Sequence, residues 1–300
     1  MQKKDPPILV TRPTLPPVEE YQALVAEIFA SRYLTNGGLQ HQQLEKALAE
    51  KLGTPHLRLF TNGHLALECA LQAFGFDGGE IVTTPFTFVS TTHAIVRCGL
   101  TPVFCDVEPD YFTIDPAQIE AKITPRTRAI VPVHIYGHPV DMDPLLELAQ
   151  KHGLLVIEDA AQAVMASYKG RPLGSSGHMG ALSFHETKNI ISGEGGALLV
   201  NDERLIERAE VLREKGTNRS RFFRGQVDKY TWTDIGSSFL PGEIVAAFLW
   251  AQMEDAQAIT DRRLALWAHY DAALRPLERA GKIICPQVPP HCRANAHMYA

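Results

Sequence analysis

Residues 129–164 read AIVPVHIYGHPVDMDPLLELAQKHGLLVIEDAAQAV. An apolar run, AIVPVHIY, is followed by the amphipathic DPLLELAQKH, a glycine, and a second apolar run, LLVIED. Short apolar strands joined by a helix of this length predict parallel pairing through a crossover, because a tight turn returns a chain only antiparallel. The same alternation extends outward. Upstream lie LRLF (57–60) with the helical LALECALQAF, IVTT (81–84) with PFTF and a further helical run, PVFCDV, and DPAQIEAKI. Downstream lie ALSF (181–184) and GALLV (196–200). The expectation is an α/β fold with a mostly parallel central sheet, right-handed crossovers and helices on both faces.

The flanks read differently. Prolines 6, 7, 13, 16 and 17 favour an extended arm leading into a helix over 18–31. After the turn TNGG, the segment HQQLEKALAEKLG sets Leu44, Leu48 and Leu52 at helical spacing, and Gly53 ends it. Beyond residue 200 the chain is mainly helical, in ERLIERAEVLREKG and in the long run from Glu243 to Glu278. With 45% hydrophobic and 21% charged residues this is an ordinary globular chain, and a net charge of −5 excludes the sustained positive field of a general nucleic-acid binder. No run has the length and apolarity of a membrane span, and the start lacks the apolar core of a signal peptide, so the expected location is cytoplasmic. The five cysteines show no CxxC pairing, and His134 and His138 lack a third partner, so neither a disulfide framework nor a metal site is expected.

Ligands of parallel sheets bind at the carboxyl ends of the strands. The polar residues expected there are Thr61, Asn62, Gly63 and His64, then Phe88, His134, Asp159 and Lys188. Lys188 sits in SFHETKNIISGEGG (183–196), between two apolar runs, where partial desolvation makes its amine a nucleophile toward a carbonyl. A lysine, an aspartate and a glycine at a helix start match the needs of pyridoxal phosphate: an amine for the Schiff base, a carboxylate for the pyridinium, and backbone N–H groups for the phosphate. In that reading Gly63, His64 and Ser183 face the phosphate, Phe88 stacks on the ring, and Gln162 meets the phenolic oxygen. Plainer readings stand beside it: a solvated Lys188, Asp159 as a helix cap, Phe88 as core, TNGH as a simple turn. The absence of GxGxxG after the first strand counts against a nicotinamide site. REKGTNRSRFFRGQVDKY (213–230) is rich in arginine and aromatics; it reads either as a solvated basic face or as a diphosphate and sugar pocket using Arg219, Arg224 and Tyr230.

EDAAQA at 158–163 with SFHETKN and GEGG at 183–196 resembles the DegT/DnrJ/EryC1/StrS sugar-nucleotide aminotransferases, fold type I pyridoxal-phosphate enzymes. The second half is similar to the transaminases that make dTDP-4-amino-4,6-dideoxygalactose, the first half to those that make the dideoxyglucose epimer. The resemblance implies Lys188 as the Schiff-base lysine, Asp159 as pyridinium partner, Gln162, Ser183 and Phe88 in the roles above, and a homodimer with shared active sites. It implies glutamate as donor, a dTDP-linked 4-keto-6-deoxy sugar as acceptor, and a place in deoxysugar and surface-polysaccharide biosynthesis. Three departures accompany it. His64 stands where the family usually has threonine, Ser238 replaces the asparagine of GxNxR, and the sequence stops at NAHMYA. The corresponding division is a large cofactor domain over 1–235 and the start of a small domain, apparently truncated, over 236–300. Two other functions remain open at this point: a sugar dehydratase of the same fold, which the presence of Lys188 opposes, and a non-catalytic binding or scaffold protein.

Overall fold

The computed structural model describes residue 9 and residues 11–300. Prolines 6 and 7 of the expected arm lie outside the described residues. Helices α1 (Val18–Ser31) and α2 (Leu39–Leu52) come first. The alternating region is next: β1 (Leu57–Phe60), α3 (Gly63–Ala73), β2 (Glu80–Thr83), α4 (Val89–Arg97), β3 (Thr101–Phe104), α5 (Pro116–Ile119), β4 (Thr127–Val131), α6 (Met142–His152) and β5 (Leu155–Asp159). The short strands β6 (Ser167–Tyr168) and β7 (Arg171–Pro172) precede β8 (Met179–Ser183) and β9 (Gly196–Val200). Helices α7 (Ile206–Arg213), α8 (Arg219–Phe223), α9 (Glu243–Glu254) and α10 (Ala256–Arg279) complete the chain, with β10 (Cys292–Arg293) pairing on β6.

Seven strands form one sheet in the order β1-β9-β8-β5-β4-β2-β3. The pairs β3–β2, β2–β4, β4–β5 and β5–β8 are parallel. β9 alone runs against its neighbours β8 and β1, because the loop joining β8 to β9 contains no crossover helix. That reversal puts the loop at the edge where β5 and β8 end. Two expected strands are shorter than their apolar runs. PVFCDV pairs only over Thr101–Phe104, and AIVPVHIY stops at Val131, since Pro132 has no N–H for the ladder.

In every strand of the large sheet except the edge strand β3, alternate residues enter different cores. Leu59, Val82, Ile130, Val156, Leu182 and Leu199 pack with α2, α6 and α9, while Phe60, Ile81, Ala129, Ile157, Ala181 and Leu198 pack with α3, α4 and α7. A sheet buried on both faces explains why its strands read as continuous apolar runs. Ala246, Leu249, Met253, Ala256 and Ile259 belong to the first of these cores. α9 and the start of α10 thus pack on one core with the sheet.

Two carboxylates, Glu243 buried and Glu45 partly so, close the fold at long range. The N-terminus of α2 has no side-chain cap of its own; Glu243 of α9 accepts instead from the N–H groups of Gln40 (2.9 Å) and His41 (3.1 Å). Glu45 accepts from the Leu59 N–H of edge strand β1 at 2.9 Å and from Arg213 at 2.8 Å. Arg213 beside it holds its carboxyl far below the usual range, against the opposing effect of burial.

Candidate active site

The carboxyl ends of β1, β5 and β8 bring Gly63, Asp159, Ser183 and Lys188 to one edge of the sheet. After β1 the chain turns directly into α3. Asn62 caps this helix, its Oδ1 accepting from the Leu65 N–H at 2.9 Å. The N–H groups of Gly63 and His64 precede the helical ladder and donate to nothing among the described residues. They point out of a positive helix end. The turn sits hard against the strands. A Cβ at Gly63 would lie 2.9 Å from Ser183 Cβ, and one at Gly196 would lie 2.3 Å from the carbonyl carbon of Asn62. Glycine at both positions is what lets the turn, Ser183 and the start of β9 converge.

Asp159 is the last residue of β5 and is buried. Its Oδ2 accepts from Thr91 Oγ1 at 2.7 Å and its Oδ1 from the Ala161 N–H at 3.1 Å. These bonds orient the carboxylate, so it does more than cap the turn after β5. Thr91 belongs to α4, one turn after Phe88, which forms the N-cap and is 69% exposed. Gln162, just beyond Asp159, accepts from the Tyr136 N–H through Oε1, leaving its Nε2 to donate elsewhere.

Lys188 projects from a loop braced by its own backbone. Ser192 N–H donates to Phe184 O at 2.7 Å, Glu186 N–H to Gly193 O at 2.9 Å, and Lys188 N–H to His185 O at 2.8 Å. Asn189, Ile190 and Ile191 are buried directly after it. Burial lowers the pKa of the Lys188 amine, and the Asp159 carboxylate acts in the opposite direction. Among the described residues the Nζ atom has no hydrogen bond or ion pair of its own. A partly desolvated, unengaged amine beside an oriented carboxylate is suited to attack on a carbonyl and to proton transfer.

Two expectations change, for His134 and for the basic segment. His134 is not a strand-end ligand residue: it is fully buried, its Nε2 2.9 Å from Glu158 Oε2 and its Nδ1 accepting from the Val140 N–H at 3.1 Å. Glu158 also accepts from the N–H groups of Gly174, Ser176 and Gly177, so this pair organises the backbone beneath Asp159. The His64 side chain turns away from the helix end, to Ser90 Oγ (2.7 Å) and the buried Glu68 (2.9 Å), which leaves only its N–H for a ligand. Much of the basic segment is already neutralised. Arg224 grips Glu210 at 2.9 and 2.7 Å, with Arg58 on the same carboxylate, and Arg221 pairs with Glu207.

Arg219 lies 3.5 Å from Glu214 and over the Phe223 ring, Tyr230 is exposed near Phe222, and Ser238 bridges to Glu214. Among the described residues, none of the polar contacts of Arg219, Arg224, Tyr230 or Ser238 reaches Lys188 or Asp159. Sequence reasoning missed Thr91, Tyr136, Asn189, Asn295 and His297. For Thr91 a signal existed, a hydroxyl three residues after Phe88 at a helix start. For the contact between Asn189 and residues 295–297 none did, because it joins distant parts of the chain.

The sequence profile of the DegT/DnrJ/EryC1/StrS aminotransferase family matches residues 17–300. The chain is 39% identical over 271 residues to a dTDP-4-amino-4,6-dideoxy-D-glucose transaminase of Shigella dysenteriae, covering 90% of this chain and 71% of that protein. The crystal structure of DesI, solved in the presence of its TDP-sugar product, superposes with a TM-score of 0.88 at 31% identity, covering 99% of this chain and 72% of that one. NtdA of Bacillus subtilis, solved with bound cofactor PMP, superposes with a TM-score of 0.84 at 28% identity, over 94% of this chain and 62% of that one.

Proposed function

Because the chain belongs to the DegT/DnrJ/EryC1/StrS aminotransferase family, sugar aminotransferases dependent on pyridoxal phosphate, we propose that it moves an amino group from glutamate to C4 of a dTDP-4-keto-6-deoxyhexose. The product is a dTDP-4-amino-4,6-dideoxyhexose. The observation that carries this reading is the convergence of the Lys188 amine and the oriented Asp159 carboxylate with the N-terminus of α3 and Ser183 at one sheet edge.

The residues present fit the cofactor. The free N–H groups of Gly63 and His64 and the Ser183 hydroxyl suit a phosphate, and a Cβ at Gly63 or Gly196 would crowd that cradle. Asp159, held by Thr91 and the Ala161 N–H, is the carboxylate for a pyridinium; Gln162 Nε2 is the free donor for a phenolic oxygen; Phe88 offers an open ring face. When bound, pyridoxal phosphate supplies an aldehyde for amine exchange and a cationic ring that withdraws electrons from the bond being broken. With the cofactor in place, Lys188 Nζ would be the amine that holds the aldehyde and, when free, the base that would move a proton at the reacting carbon. Its lowered pKa favours the uncharged form this work requires.

The protein works as a homodimer in this reading. Phe223, Trp232 and Ile235 are more than 70% exposed in a segment that includes Tyr230 and leads to Ser238, and a second copy covers them while Arg219, Tyr230 and Ser238 serve its site. Arg224 keeps its place on Glu210. The likeness to the Shigella enzyme supports the D-glucose configuration at C4; the galactose epimer is the other reading, favoured by HETKN and residues 213–230. The test has two stages. Protein loaded with pyridoxal phosphate should show a visible band that glutamate removes, and Lys188→Ala should lack it. NMR coupling at H4 of the product formed from a dTDP-4-keto-6-deoxy sugar then assigns the epimer. A band unaltered in Lys188→Ala, or no amino sugar formed, rejects the proposal.

A further inference from the structure

The last described residues reach back to the lysine loop. Asn295 is fully buried and its amide is engaged on every side. Its Nδ2 donates to the carbonyls of Gln162 and Val164, both at 2.8 Å, and its Oδ1 accepts from the His297 N–H at 3.1 Å. The Asn295 carbonyl accepts from Asn189 Nδ2 at 2.8 Å. Asn189 is the residue after Lys188. With its Nδ2 donating, its Oδ1 is the acceptor of the contact to His297 Nδ1 at 2.9 Å, so Nδ1 carries the proton and Nε2 a lone pair.

Neighbouring structure is shaped around this contact. Ala296 adopts a left-handed φ of 53°, which a side chain disfavours. Arg263 of α10 donates to the carbonyls of Ala296 (3.2 Å) and His297 (2.8 Å). Across from it, a Cβ at Gly137 would come within 1.9 Å of Asn295 Oδ1. A saturated buried amide, a strained backbone and a cleared glycine fix residues 295–297 more tightly than docking an exposed segment requires.

We infer that Asn295 and His297 are positioning residues for Lys188: they grip Asn189, and so hold the lysine backbone in the one orientation that aims its amine into the site. The inference rests on the assignment of Lys188 above. The charged groups acting on the imidazole are Lys188, from the loop, and Arg263, from α10; burial first and then these two cations push it down to about 3, and it stays neutral beside the amine. The charge acting on the amine is Asp159 on β5. Releasing the grip lets water reach Nζ and returns it toward an ordinary lysine.

The experiment reads the amine directly in cofactor-free protein. Acetylation of Lys188 is followed by peptide mass spectrometry across pH, giving its titration midpoint. Asn295→Ala and His297→Ala should raise that midpoint, slowing modification at pH 8 by about tenfold for each unit of rise. His297→Asn, whose Nδ2 replaces the Nδ1 donor, should restore the wild-type midpoint. If Asn295→Ala does not fold, His297→Ala decides, since it leaves the buried amide intact. A folded His297→Ala protein with the wild-type midpoint overturns the proposal. Failure of the Lys188 assignment would show separately, as a visible cofactor band that survives Lys188→Ala.

Discussion

A single methyl group at position 196 should separate the cofactor's phosphate from the rest of the site. Gly196 is paired on both sides, to Ser183 of β8 and to Phe60 of β1, so the strand itself has little freedom to retreat. The added Cβ would stand 2.3 Å from the Asn62 carbonyl carbon and 2.6 Å from the Gly63 nitrogen, where ordinary contact begins near 3.4 Å. The turn must move back by the difference, about 1.1 Å, which is enough to misalign N–H groups that need hydrogen-bond geometry. Each bond to an ionised phosphate contributes about 1.5–3 kcal/mol, so loss of one weakens cofactor binding by roughly 10- to 150-fold. Gly196→Ala should therefore remain folded by circular dichroism, yet need that much more pyridoxal phosphate in a spectroscopic titration. Gly53→Ala is the control. Its φ is left-handed at 60°, unlike that of Gly196, but a Cβ there meets nothing within 4 Å, so it should cost about 1 kcal/mol of stability with unchanged cofactor affinity. Wild-type affinity in Gly196→Ala would refute the close-approach argument.

Three further outcomes are expected. His297 has a folded pKa of about 3 against 6.5 unfolded, so the unfolded chain takes up its proton first. Its contribution to stability is complete above pH 6.5 and is lost as pH falls toward 3. This amounts to about 2 kcal/mol at pH 5, measurable by urea unfolding at pH 7.5 and 5 as a loss that shrinks by that amount in His297→Asn. His134→Leu leaves Glu158 buried without its imidazole and should cost about 3–5 kcal/mol, seen as a lowered Tm with the Asp159 region loosened in hydrogen exchange. Arg224→Met should lower stability by about 1–2 kcal/mol, discounted because the arginine is partly exposed, while the KM for the sugar nucleotide stays unchanged; a raised KM with unchanged stability would return Arg224 to substrate binding.

The sheet was legible because burial on both faces leaves unbroken apolar runs, and the strand-end rule then brought Gly63, Asp159, Ser183 and Lys188 together without any knowledge of contacts. That rule selects ends of strands but not the direction of side chains. It therefore enrolled His134, which points inward to Glu158, and it said nothing of His64 turning toward Glu68. The basic segment misled for a related reason. Several of its charges meet carboxylates outside the segment: Arg213 meets Glu45 on α2, and Arg221 and Arg224 meet Glu207 and Glu210 on α7. Contacts such as Glu243 capping α2, or Asn295 holding Asn189, join remote stretches and leave no periodicity to detect. Local pattern announces what a segment is. It does not announce which segment it will meet.

The reversed direction of β9 has a kinetic consequence. The lysine loop closes between adjacent strands, a short span with a small entropic cost, but the phosphate cradle also requires β1 to find β9 from far away in the chain. Pairings across such distances form slowly. The loop bearing Lys188 should thus be assembled ahead of the turn at Gly63, which pulse-labelled hydrogen exchange would show as earlier protection of β8 and β9 than of β1.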